Sequence, residues 1–90
     1  MAHTIKQKDR LIARVRRIKG QLEAIERALE NEAPCADILR QTASVRGAVG
    51  GLTAQLLEEH LIAHVLEADS EHERKQGGDE MLEVIRTYMK

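Results

Sequence analysis

His60 and His64 are four residues apart. On an α-helix that spacing sets two side chains on one face, about one turn apart. Two imidazoles so placed are a common way to hold one transition-metal ion, although most such pairs merely pack or face solvent. The chain has a single cysteine, Cys35, directly after its single proline, Pro34. A thiol at a helix N-terminus loses its proton more readily, and the thiolate is the form that ligates or attacks. Otherwise a lone cysteine packs as a small apolar residue. His3 adds an imidazole near the start of the sequence, and removal of Met1, which the small Ala2 permits, would put the free amine of Ala2 beside it. One thiolate with several nitrogens suits Ni(II), Co(II) and Zn(II), whereas Cu(I) prefers several soft sulfurs. His72 falls in a polar stretch and is assigned to solvent.

These donors must be placed by helices. Leu11, Val15, Ile18, Leu22, Ile25 and Leu29 recur at spacings of four and three, the stripe of an amphipathic helix. The spacing predicts a first helix over about 4–30, with Thr4 as its N-cap, ended by Asn31–Pro34. A second stripe, Ile38, Val45, Val49, Leu52, Leu56, Ala63 and Leu66, predicts a helix over about 34–68. Gly47, Gly50 and Gly51 lie within it, and each costs up to about 1 kcal/mol against Ala in a helix interior. The stripe stays in phase across them, so one long helix is expected. Ser70 to Gly78 reads as a loop, with Asp79 capping a third helix over about 79–89. No strand pattern and no repeat occurs, so the class is all-α with three helices in a single domain over 1–90.

The geometry then requires a second copy. Cys35 and His60 are 25 residues apart on one predicted helix, about 37 Å at about 1.5 Å per residue, too far to share an ion within a chain. One short third helix is also too little to cover so long an apolar rod. In an antiparallel four-helix-bundle dimer, Cys35 of one copy meets His60 and His64 of the other, giving two equivalent sites.

Composition narrows the function. Residues 1–20 carry seven Lys or Arg against one Asp, a net charge of +6, within a chain whose formal charge is −1. A basic segment on a near-neutral chain is a footprint for a polyanion. Lys6, Arg10, Arg14 and Arg17 fall on an arc of about 80° at about 100° per residue, and Lys8, Arg16 and Lys19 form a second. With no Trp or Phe and only Tyr88, base stacking of the kind used on single strands and RNA is not expected. A disulfide framework is excluded by the single cysteine. No apolar run approaches the roughly 18 residues of a membrane span, and no signal-peptide core is seen, so a cytoplasmic location is expected.

At this point the residues resemble a family. Arg14–Gln21 (RVRRIKGQ), the Pro34-Cys35 pair, Ala43–Leu52 (ASVRGAVGGL), His60-x3-His64 and Ile85–Lys90 (IRTYMK) are similar to the CsoR/RcnR family of bacterial metal-sensing repressors, over almost the whole chain. The resemblance implies a helical dimer that pairs into a tetramer, a dimer of dimers without a helix-turn-helix, whose apo form binds operator DNA and is released by its ligand, derepressing an export gene. Within the family, copper sensors carry a second Cys where His64 stands, and persulfide sensors also need a second Cys. The formaldehyde-sensing branch resembles the chain through Arg14–Arg17 but uses a proline amine where Ala2 stands. The nickel/cobalt branch uses His, Cys, His and His at the positions of His3, Cys35, His60 and His64, and all four match.

The expected function is therefore a Ni(II)- or Co(II)-responsive repressor, with Zn(II) as a further candidate effector. Its metal ligands are expected to be His3, Cys35, His60, His64 and the Ala2 amine. Its contacts to double-stranded operator DNA are expected to be Lys6, Arg10, Arg14, Arg16, Arg17, Lys19 and Arg46. A formaldehyde-responsive repressor using Cys35 and the Ala2 amine is the alternative; a metal-binding adaptor or storage bundle that never touches DNA is the rival from another class. An enzyme with Cys35 as nucleophile lacks any oxyanion-binding loop, so no enzyme is expected.

Overall fold

The computed structural model describes residues 7–89. These form three α-helices: α1 is Lys8–Glu30, α2 is Cys35–Leu61 and α3 is Glu71–Tyr88. A π-helical turn, Ile62–Leu66, continues directly from α2. No strand occurs among the described residues, so the chain is all-α. The expected Thr4 cap lies outside the described residues; α1 begins after Gln7, which offers no side-chain cap. As expected, α2 runs unbroken through Gly47, Gly50 and Gly51.

Two compact units are defined, Gln7–Thr53 and the described residues from Ala54 on. The first is a helical hairpin. Its turn is a Schellman motif, in which Ala33 N donates to Ala28 O (2.9 Å) and Glu32 N to Leu29 O (3.1 Å). Such a motif needs a left-handed residue after the C-cap; here it is Glu32, with φ 54°. Pro34 then supplies the carbonyl that accepts from Ile38 N (3.3 Å), and its missing N–H leaves no donor stranded. Two cross-helix contacts fix the register of the hairpin. Gln21 Nε2 donates to Ser44 Oγ at 3.3 Å, and the Arg14 guanidinium lies over Gly51, 2.9 Å from where a Cβ would stand. Both pairs are symmetric about the Glu32–Ala33 bond, as in-register antiparallel helices require.

The apolar stripe of α1 divides. Leu11, Ile18 and Ile25 are half-buried, while Val15, Leu22 and Leu29 remain 49%, 53% and 59% exposed. Each set repeats every seven residues, the period of a helix–helix seam. No large apolar side chain is fully buried among the described residues.

The second unit holds the end of α2, the π turn and α3. Here the sequence expectation needs correction. The third helix begins at Glu71, not Asp79, so the segment expected as a loop is mostly helix, and Gly77-Gly78 lies inside it. Its cap is Ser70, whose Oγ accepts from Glu73 N at 3.1 Å, while Glu73 Oε2 accepts from Asp69 N at 3.3 Å. This is a close variant of the capping box. Glu71 and Glu73 in the first turn add favourable interaction with the helix dipole. His72 is accordingly an exposed helical residue.

Candidate metal site and nucleic-acid interface

Cys35 is the first residue of α2, and its thiol is exposed. His60 is the last residue but one of α2, and His64 sits at the centre of the π turn. The two imidazoles are brought together as their spacing requires, with ring centroids 4.7 Å apart and planes tilted by 42°. Metal–nitrogen bonds of about 2.0–2.1 Å let one ion bridge rings at that separation, so this pair fits the donor set that a Ni(II), Co(II) or Zn(II) site needs. His3 and Ala2 lie outside the described residues. Within one chain, no group of three or more His, Cys, Asp or Glu side chains among the described residues is placed to hold an ion.

α3 supports the imidazole pair. His60 Nε2 is 3.1 Å from Gly77 O and 3.5 Å from Glu80 Oε1, with the His60 side chain 16% exposed. A carbonyl only accepts, so in this hydrogen bond Nε2 is the nitrogen that donates. That is the arrangement in which a ligating histidine is oriented by a backbone carbonyl on its other nitrogen. Gly77 is buried, and a Cβ on it would collide with the backbone carbonyl of His64 and come within 2.9 Å of the His64 Cβ. The π turn is closed by Glu67 N donating to Ile62 O (2.8 Å) and tied to α3 by Arg74 Nε donating to Val65 O (3.3 Å). A cleft of about 410 Å³ opens beside His64, with Glu67, Asp69, Glu73 and Glu80 in its lining; its carboxylates favour cations.

This support from α3 is absent from the sequence expectation. Ser70-x-x-Glu73 is a helix-start signal that sets α3 against His60, and it outweighs the Gly77-Gly78 pair.

The basic residues lie in the first unit. Arg10, Arg14, Arg16, Arg17 and Lys19 are on α1 and Arg46 is on α2, all exposed. None of them is paired with an acid among the described residues. Lys6 lies outside the described residues.

The chain thus combines a helix of exposed cations with an imidazole pair supported by α3. Comparison identifies the class: the chain belongs to the metal-sensitive transcriptional repressors, whose family model matches residues 7–87. It is 50% identical, over the full length of both chains, to an uncharacterised protein in the bioA 5′ region of Serratia marcescens. It is 38% identical, again over the full length of both, to the transcriptional repressor RcnR homolog of Escherichia coli. Among solved structures it resembles a glutamate-to-histidine variant of the formaldehyde-responsive regulator FrmR from Salmonella enterica serovar Typhimurium. That likeness has TM-score 0.85 and 43% identity, and covers 92% of this chain and 94% of the other. It also resembles the copper-sensing repressor CsoR with Cu(I) from Geobacillus thermodenitrificans, with TM-score 0.86, 29% identity and coverage of 94% and 88%. The family and both neighbours are transcriptional regulators, and the chain is a regulator, not an enzyme. No helix among the described residues is long and apolar enough to cross a membrane.

Proposed function

We propose that the chain is a cytoplasmic repressor that holds double-stranded operator DNA when metal-free and releases it on binding Ni(II) or Co(II), with Zn(II) as a further candidate. The observation that carries this reading is the imidazole pair of His60 and His64, 4.7 Å apart, with His60 held from behind by the Gly77 carbonyl. With a single cysteine in the chain, the donors beyond Cys35 are nitrogens, which favours Ni(II) and Co(II) over Cu(I). His3 and the Ala2 amine complete the proposed set.

Cys35 begins α2 and His60 lies near its far end, with His64 in the π turn beyond, so the proposed site is shared between antiparallel copies, and the dimers pair into a tetramer. A bound ion supplies a coordination bond between the copies. The residues of α2 and its π turn then hold one mutual angle of the two copies, and with it the spacing of the α1 cations. Arg10, Arg14, Arg16, Arg17, Lys19 and Arg46, with Lys6, meet phosphates; sequence preference comes from DNA shape. Coupling of this kind is worth about 1–3 kcal/mol, or about 5–150-fold in affinity.

A second reading is favoured by the 43% identity to a formaldehyde-responsive regulator and by the exposed Cys35 thiol. Here the thiol and the Ala2 amine condense with one formaldehyde to an S–CH2–N bridge and one water. Mobility shift on the chain's own upstream DNA separates the readings. Release by Ni(II) or Co(II) supports the first; release by formaldehyde alone replaces it with the second. An absence of any DNA complex would leave an adaptor or storage role.

A further inference from the structure

Among the described glycines, Gly77 leaves the least room for a side chain. Two observations meet there. The residue is buried in the interior of α3, where glycine costs about 1 kcal/mol against Ala. A Cβ in its place would meet the carbonyl oxygen, the carbonyl carbon and the Cβ of His64. None of these is the far end of a flexible side chain, so the π turn would have to move to admit it. The carbonyl of the same residue sits 3.1 Å from His60 Nε2. A Cβ on its neighbour Gly78 would meet nothing within 4 Å, so the requirement belongs to one glycine and not to the pair.

We propose that Gly77 is a positioning residue for both imidazoles. Its missing side chain seats the backbone of His64, and its carbonyl holds His60 as the Nε2–H tautomer, so that α3 presets the pair for an ion. The proposal rests on reading His60 and His64 as effector ligands. It adds that the ligand geometry is set by a residue of a different helix that cannot itself bind the ion. The Gly77 carbonyl, with Glu80 Oε1 3.5 Å from the same nitrogen, favours the proton on Nε2 and so turns Nδ1 toward the ion.

The test uses the full-length protein and Co(II) alone. In metal-free wild type, long-range 1H–15N spectra of the imidazoles are expected to show His60 protonated at Nε2. Protonation at Nδ1 overturns the proposal, whatever the protein binds. Gly77→Ala adds a Cβ against the His64 backbone and so displaces the π turn and the carbonyl behind His60; it is expected to bind Co(II) about 10–100-fold more weakly, the usual loss when the support behind a ligand is disturbed, while Gly78→Ala binds as wild type. Circular dichroism and metal-free operator binding report whether Gly77→Ala keeps its fold. A folded Gly77→Ala with wild-type Co(II) affinity overturns the proposal and leaves the metal reading intact. A wild type with no Co(II) absorption bands, and with the Nε2–H tautomer present, overturns the metal reading and this proposal together.

Discussion

His64 can be stripped of its donor without losing its bulk. His64→Leu keeps an apolar side chain in the π turn (Ile62–Leu66) and removes the nitrogen. It is expected to bind operator DNA as tightly as wild type and to lose release by Ni(II) or Co(II) in a mobility shift; full release would contradict its role as a ligand. At this scale the sequence is informative wherever function is carried by side-chain type. Cys35, His60 and His64 declare their chemistry by what they are, and the spacing of the histidines sets their rings on one face. Gly77 declares nothing. A glycine needed for close approach looks the same as one that ends a helix, because the need arises from the backbone opposite it, here the His64 carbonyl. His60 is likewise legible as a donor but not as an oriented one, since its partner carbonyl is 17 positions away.

The helix ends can be tested one by one. Glu32 occupies a left-handed conformation, φ 54°, that L side chains adopt at a cost of about 1 kcal/mol and glycine adopts freely. Glu32→Gly is therefore expected to stabilise the hairpin by roughly 0.5–1 kcal/mol, read as a higher urea midpoint at fixed protein concentration. Ser70→Ala is expected to cost about 1 kcal/mol and to speed amide exchange in the first turn of α3 more than elsewhere. An unchanged exchange rate at Glu73, whose N–H is held by Ser70 Oγ, would show the cap to be idle. The long helix is legible because its apolar stripe keeps phase through Gly47, Gly50 and Gly51, and periodicity sums over many residues. The start of α3 is harder to read because two glycines stand against a four-residue capping signal. The cap, two acids in the first turn and packing on the π turn together outweigh an interior glycine cost of about 1 kcal/mol each.

The apolar residues of α1 bear on the proposed assembly. Val15, Leu22 and Leu29 form a seven-residue repeat left about half exposed, while Leu11, Ile18 and Ile25 of the same stripe are half-buried. A fully buried Leu or Val gains about 1.5–3 kcal/mol over an exposed one, and in a two-fold interface each substitution counts twice. Leu22→Glu thus replaces a gain with the cost of burying a carboxylate, and is expected to shift sedimentation equilibrium toward the monomer. Operator affinity should fall with it, because fewer cations are then joined in one particle. Arg16→Ala is the complementary case. It removes a cation that has no acid partner among the described residues and leaves the seam intact, so the assembly should be unchanged. The slope of log affinity against log salt should become shallower by about 0.9 for each phosphate no longer neutralised, or about 1.8 per two-fold pair. Weaker binding of Leu22→Glu at an unchanged molecular mass would place the seam on some other surface, and an unchanged salt slope in Arg16→Ala would take that residue off the DNA.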